Sequence, residues 1–274
     1  MLKESIANIF RRVFFIKGKI SHGNSWDMSD IFIVSYPKSG TTWLCLILAN
    51  IIQEMAGDSR RVDFYSVHDY VPDFHFNPQA INKIKPQRFI KTHESFDMWN
   101  NRIKVKGRGS VYPRVIYLVR DGKKATASSF GYLGATSSSN ANFLDFIANE
   151  RSSYGTWDDH VDKWVLCNDV LDKRMVHVIR HEDLVRDAFE VITSILNFSG
   201  INASPAVIKK SIENSDISVM RDLEGQYGNG VIYSDQNFNF ARKKNRLADD
   251  SLLKEVDDYF STDKSKSVLK KMGY

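Results

Sequence analysis

Residues 31–55 read IFIVSYPKSGTTWLCLILANIIQEM, and the fold can be read outward from this stretch. Ile31 to Ser35 is a short apolar, β-branched run of the kind that forms a buried strand. Leu44, Ile47, Leu48, Ile51, Ile52 and Met55 then recur at i, i+3, i+4, i+7, i+8 and i+11, the stripe of an amphipathic helix that begins near Thr41 or Thr42. Between them Tyr36-Pro37-Lys38-Ser39-Gly40-Thr41-Thr42-Trp43 makes a tight turn from strand to helix. The N–H groups at such a helix start, aided by the macrodipole, bind phosphate oxygens. Gly40 admits close approach, Thr41 and Thr42 add hydroxyls, and Lys38 adds a compact positive charge.

The same alternation continues along the chain. Arg88 to Thr92, Val115 to Val119 and Val176 to Arg180 are further strand candidates, each ending in a charged or polar cluster. Helices are expected from about Lys123 to Phe130, Trp157 to Leu171, Ala188 to Phe198, Pro205 to Asn214 and Asp249 to Met272. Strands alternating with helices predict an α/β fold: one domain, a central parallel sheet flanked by helices, with a P-loop-like strand-loop-helix phosphate site. Ligands of such sheets gather at the carboxyl ends of the strands. Met220 to Arg242, rich in Gly, Asn and Asp, reads as a long loop of the lid type.

Composition sets broad bounds. With 274 residues, 42% of them hydrophobic and 26% charged, the chain can bury a full core. A net charge of +5 suits an anionic ligand, although 38 basic against 33 acidic residues also describes an ordinary surface. Cys45 and Cys167 sit in apolar helical patterns without ligand spacing, so both are read as buried, reduced thiols of a cytoplasmic protein. The longest apolar stretch, Leu44 to Ile52, falls short of the roughly 20 residues of a membrane span. Residues 1–30 are set apart as a basic amphipathic segment, leaving 31–274 as the main domain. Through residues 1–20 that segment could touch a membrane surface, but docking on the domain's own flank is the favoured reading. No aromatic-interleaved basic stripe points to nucleic acid, and oligomeric state stays open.

The string YPKSGTTW resembles the 5′-phosphosulfate loop of sulfotransferases that use 3′-phosphoadenosine-5′-phosphosulfate (PAPS), particularly the soluble, cytosolic-type branch. A nucleoside triphosphatase loop would read G-x-x-x-x-G-K-[ST], whereas here Lys38 precedes Gly40. The resemblance implies that Lys38, Ser39, Gly40, Thr41 and Thr42 hold the 5′-phosphosulfate and that Trp43 lies against the adenine. It is carried further by Arg120, followed eight residues later by Ser128, the pair that binds the 3′-phosphate in that family. Lys91-Thr92-His93 resembles the catalytic Lys-Thr-His segment.

Arg180-His181-Glu182-Asp183 resembles an adenine-contacting Tyr-Glu-Asp segment, with His181 in place of Tyr. Ser215 to Met220 resembles Thr-Ser-Phe-Glu-x-Met, which puts Ser215 and Ile217 at adenine-contacting positions. Phe240 to Lys244 resembles the Arg-Lys-Gly segment over the 3′-phosphate, with Arg242 and Lys243 carried over and Lys244 replacing Gly.

The activity implied by this resemblance is in-line transfer of a sulfuryl group from PAPS to a small-molecule acceptor. A hydroxyl is the default acceptor atom and nitrogen the alternative. His93 would be the general base, Lys38 would stabilise the leaving oxygen and Lys91 the sulfuryl oxygens, with no metal required. Tyr70, Phe74, Phe76, Tyr132 and Tyr227 are the aromatics nearest the expected pocket walls. The rival readings are a P-loop-type phosphotransferase and a non-enzymatic nucleotide-binding protein.

Overall fold

Four short segments, two of them buried on both faces, pair into one sheet in the computed structural model of the chain, which describes residues 29–74, 81, 84, 87–103, 112–136, 142–167, 171–228 and 250–274. The strands are β1 (Ile31–Ser35), β2 (Phe89–Thr92), β3 (Arg114–Val119) and β4 (Val176–Arg180). They are parallel throughout and run in the order β2-β1-β3-β4. From central β1 the chain passes to β2 on one side and then to β3 on the other. The carboxyl end of β1 is therefore the topological switch point, where open parallel sheets leave a crevice for ligands. Segment 36–40 occupies it.

Residue alternation assigns the two faces. Ile31, Ile33, Phe89, Ile116, Leu118 and Ile179 face α1 (Thr41–Met55), whose Leu44, Ile47, Leu48 and Ile51 are buried against them. Phe32, Val34, Ile90, Val115, Tyr117 and Val119 form the other face, covered by Trp99, Trp157 and Trp164. Cover on both sides explains why the inner strands β1 and β3 read as apolar runs over Ile31–Val34 and Val115–Val119.

Between β2 and β3 lies α2 (Phe96–Ile103), and after β3 come α3 (Gly122–Thr136), α4 (Phe143–Ser153) and α5 (Trp157–Val161), the last continued by a π-helical turn over Asp162–Leu166. After β4 follow α6 (His181–Arg186), α7 (Ala188–Ser199), α8 (Pro205–Glu213), α9 (Ile217–Tyr227), α10 (Asp250–Tyr259) and α11 (Asp263–Lys271). A one-turn helix, Val67–Tyr70, precedes β2.

Three expectations are corrected. The single helix foreseen over Asp249 to Met272 is two helices, because Thr262 accepts from the Ser265 N–H and caps a new start. The loop foreseen from Met220 is helical as far as Tyr227, begun by the Asp216 cap; its remainder lies outside the described residues. Cys167, expected to be buried, is exposed just past the π-helical turn, whereas Cys45 is buried. The segment 1–20, Phe76, Arg242 and Lys243 also lie outside the described residues.

A buried ion pair pins the amino-terminal end of the sheet. Asp30, directly before β1, accepts from the Arg88 backbone N–H at 3.0 Å and from Arg88 Nε at 2.9 Å, and a second bond joins Nη2 to its other oxygen. Both residues are sealed from solvent, and the Ile31 N–H donates to the Arg88 carbonyl at 2.8 Å. Removing one partner of such a pair leaves an uncompensated buried charge, at a cost of about 3–5 kcal/mol. Asp30→Ala is therefore expected to lower the unfolding free energy by that amount while ligand affinity per folded molecule is unchanged, since the pair lies at the end of the strands opposite the crevice. Urea denaturation with and without nucleotide checks this, and a loss below about 1 kcal/mol would contradict it.

Candidate active site

The phosphate loop departs from ordinary backbone at two places. Lys38 has φ 64° and Gly40 has φ 94°, both left-handed. For Lys38 that conformation is unusual and costs of order 1–3 kcal/mol unless its surroundings hold it. Arg120, at the end of β3, supplies one such hold by donating from Nη1 to the Lys38 carbonyl at 2.7 Å. Gly40 is required sterically as well, because a Cβ there would lie 2.5 Å from His181 Nδ1. As the N-cap of α1, Gly40 offers no side-chain acceptor, and the first turn carries no acidic residue. The usual means by which a helix satisfies its own first N–H groups are thus absent, and these donors are left for an exogenous anion.

The second part of the site comes from β3 and β4. The Arg120 side chain is partly buried, its Nε is sealed from solvent without a hydrogen-bond partner, and among the described residues it makes no salt bridge. Burial pulls its pKa down, and the nearby charges of Glu182 and Asp121 only partly oppose this. Ser39 Oγ is likewise buried without a partner. An arginine with an unbonded Nε and no salt bridge among the described residues, and an orphaned hydroxyl, beside an uncapped helix start form a polar cradle that fits an anionic phosphate ligand.

Ser128 is buried two turns into α3. His181, the first residue of α6, rests on Gly40 with Nδ1 buried and unbonded. Burial first, and the Arg120 charge second, depress its pKa to about 4, so the ring is neutral at cellular pH. Glu182 accepts from the Tyr274 hydroxyl at 2.6 Å, and Arg180 stacks over the Tyr274 ring at 4.5 Å, fixing this side of the crevice.

His93 follows directly after β2. Its Nδ1 lies 2.8 Å from the Ser35 carbonyl and 3.2 Å from Ser35 Oγ. A carbonyl only accepts, so Nδ1 carries the proton and the lone pair of the neutral ring is on Nε2. Ser35 Oγ is also bonded to Thr41 Oγ1 at 2.5 Å, which ties the imidazole to the start of the helix. The Lys38 ammonium lies over the Tyr132 ring, 4.1 Å from its centroid. Burial, with a contribution from Glu224, raises the Tyr132 pKa to about 12. Lys91 forms a 2.8 Å ion pair with buried Asp73. Desolvation pulls the Lys91 pKa down, but the Asp73 carboxylate outweighs it and holds the amine in its charged form.

The remaining sequence-predicted residues are placed less centrally. Trp43 is partly buried in the same apolar cluster as Ile217, with its Nε1 unbonded. The Ser215 hydroxyl donates to the Ser211 carbonyl at 2.8 Å and accepts from Asn50 Nδ2 at 3.1 Å, so its proton is already used in joining α8 to α1. Of the proposed wall aromatics, Phe74 completes the core against Phe32, Tyr70 bonds Asp58, and Tyr227 is exposed, leaving Tyr132 beside the loop lysine.

Sequence reasoning missed Ser35, Asp73, Glu94, Tyr117 and His160. Asp73 reaches Lys91 by joining the edge of β2 as an isolated parallel bridge, a contact with no local signature. His160 had one faint signal: it shares a helical apolar face with Trp157, Val161 and Trp164. Among the described residues no group of three His, Cys, Asp or Glu side chains could hold a metal ion, and no helix is long and apolar enough to cross a membrane.

Comparison with known proteins agrees with this architecture. Residues 28–261 match the family model described as the sulfotransferase domain. Sulfotransferase 2A6 of Rattus norvegicus is 24% identical over 200 residues, covering 70% of this chain and 67% of the relative. Retinol dehydratase, solved in complex with androsterone and inactive cofactor PAP, superposes with a TM-score of 0.60 at 19% identity, covering 90% of this chain and 82% of that one. Mouse sulfotransferase SULT7A1 complexed with PAP gives a TM-score of 0.58 at 23% identity, covering 91% of each chain.

Two buried groups behind His93 titrate with opposite sign. Burial depresses the His160 pKa from 6.5 to about 4, so its stabilising contribution is complete above pH 6.5 and is lost as pH falls toward 4. Burial raises the Glu94 pKa from 4.5 to about 7 despite its ion pair with Arg102; its contribution is complete below pH 4.5 and is lost as pH rises through 7. Each is worth on the order of 3 kcal/mol across its window, so they largely offset one another. In Glu94→Gln the histidine slope stands unopposed, and urea midpoints should fall more steeply than in wild type between pH 6.5 and 4.5. Parallel slopes would contradict these assignments.

Proposed function

The chain belongs to the sulfotransferase domain family, and on that premise we propose how its own residues bind PAPS and promote transfer of the sulfuryl group to a small-molecule acceptor. The family reaction is transfer of the sulfuryl group from PAPS to an acceptor, and the chain is a PAPS-dependent sulfotransferase. The observation that carries the residue assignments is the partly buried Arg120 guanidinium, with an unbonded Nε and no salt bridge among the described residues, tied to an uncapped phosphate loop. Desolvating a cation whose nearby carboxylates only partly compensate it is costly, and a bound phosphate relieves that cost. Arg120 and Ser128 would take the 3′-phosphate, joined by Arg242 and Lys243. The N–H groups of the loop, with Lys38, Ser39, Thr41 and Thr42, would take the 5′-phosphosulfate. Trp43 and Ile217 would bound the adenine, with His181 between the base and the loop.

PAPS supplies an activated sulfuryl group with a phosphate as leaving group, so the protein's task is alignment, a base and charge stabilisation. His93, held as the Nδ1–H tautomer by Ser35, presents the Nε2 lone pair to remove the acceptor hydroxyl proton. Lys38 leaves its place over Tyr132 to meet negative charge developing on the leaving oxygen. Lys91, kept charged by Asp73, supports the sulfuryl oxygens. Tyr132 then contributes an aromatic wall to the acceptor side. We place the reaction in the cytoplasm, in line with the cytosolic-type resemblance of the loop.

His93→Ala should lower kcat by about 10²–10⁴-fold while calorimetry shows unchanged affinity for 3′-phosphoadenosine-5′-phosphate (PAP). Near-normal turnover would remove His93 as the base. Arg120→Ala should weaken PAP by roughly 10–100-fold, as expected for loss of a charge-assisted bond, and adenosine 5′-monophosphate far less. Equal losses for the two nucleotides would refute the 3′-phosphate assignment.

A further inference from the structure

We propose that His160, a buried residue outside the cofactor and acceptor contacts, is the positioning residue that holds the His93 base in register with the phosphate loop. The inference rests on the reading of His93 as base. His160 lies in α5 with 1% of its surface exposed. Its Nε2 is 3.1 Å from the Glu94 carbonyl and 3.3 Å from the His93 carbonyl. Because carbonyls only accept, Nε2 carries the proton, and the neutral ring then has its lone pair at Nδ1. The Tyr117 hydroxyl sits 2.7 Å from Nδ1 and donates to it. Both ring nitrogens are thereby used, each in the one role that the other permits, and the low pKa of the ring agrees with this neutral tautomer.

The grip falls where the sheet cannot provide one. β2 ends at Thr92, so His93 and Glu94 have left the strand register. Trp164 Nε1 donates to the Glu94 carbonyl at 3.0 Å, and the Glu94 N–H is bonded to Thr92 Oγ1 at 3.1 Å. His160 and Trp164 thus hold the main chain of the segment from the core, while Ser35 holds the His93 side chain from β1. The Tyr36 ring, at the first position of the phosphate loop, meets the His160 ring edge-on at 5.9 Å. One imidazole therefore touches the root of the loop that carries Lys38, the main chain that carries the base, and Tyr117 of β3. Bridging a hydroxyl to two carbonyls needs an acceptor and a donor at opposite ends of a rigid plane, which imidazole provides. Leucine at this position would orphan the hydroxyl and both carbonyls.

The test uses His160→Leu, His160→Gln and Tyr117→Phe in the full chain. Three quantities are read: PAP affinity by calorimetry, the His93 ring signals by nitrogen-15 NMR in the PAP complex, and kcat with PAPS and whichever of 4-nitrophenol or androsterone the wild type sulfates. His160→Leu should reduce kcat by about 10–100-fold, the scale of a misplacement near 1 Å, with PAP affinity within about twofold of wild type. The His93 Nδ1–H signature should become a tautomer mixture. His160→Gln, which keeps a donor for the carbonyls, should recover part of kcat, and Tyr117→Phe should give a milder loss of the same kind if the leucine variant does not fold. Wild-type kcat and an unchanged His93 signature in either the leucine or the phenylalanine variant would overturn the proposal. So would parallel loss of PAP binding and turnover, which marks a merely structural role. His93→Ala separates the two readings: full activity there removes the base itself, whereas an inactive His93→Ala beside an unaffected His160→Leu removes only this inference.

Discussion

Ser35 fastens three parts of the molecule at one point. Its hydroxyl is bonded to Thr41 at the start of α1, and its carbonyl accepts the Nδ1 proton of His93. Since Ser35 is the last residue of β1, an inner strand of the sheet, the phosphate loop, the helix behind it and the His93 imidazole after β2 are all located relative to one rigid element. Active-site groups carried on loops need such anchoring, because errors of an ångström weaken catalysis strongly.

Lys38, Lys91 and Arg120, cations at the carboxyl end of the sheet, are each stabilised differently. Lys38 lies over an aromatic ring, which costs little to leave when an anion arrives. Lys91 is neutralised by Asp73 and kept charged in a buried place. Arg120 has neither arrangement, and its partly buried guanidinium is tied to the loop through a backbone carbonyl. These three environments match the duties proposed for them: a movable charge for chemistry, a fixed charge for support, and a charge without an ion-pair partner among the described residues for binding. At the opposite end of the strands the Asp30–Arg88 pair is fully matched and sets register instead.

Much of this was legible in residues 31–55, because the signal there is local: a strand buried on both faces, a turn that needs Gly40, and a helix with one long apolar stripe. β1 and β4 follow their expected bounds, and β2 and β3 differ by a single residue at one end. Short helices were less legible. Phe96–Ile103 and His181–Arg186 are too brief to show periodicity, and α9 was obscured by its Asp, Glu and Gly content. In the site, Lys38, Arg120 and His93 stood out by motif, whereas Asp73, Tyr117 and His160 did not. Their roles arise from contacts across 18, 43 and 66 residues or more of chain, which depend on strand order and which no single stretch of sequence records.

Every assignment of a site residue requires that the crevice at the switch point be built for a nucleotide bearing both a 5′ and a 3′ phosphate. Calorimetric titration of the wild-type protein with PAP, beside adenosine 5′-monophosphate and ATP with Mg²⁺, tests that requirement directly. Micromolar or tighter binding that is selective for the 3′-phosphorylated nucleotide is the predicted result. Preference for ATP with Mg²⁺, or no binding of PAP, would contradict it.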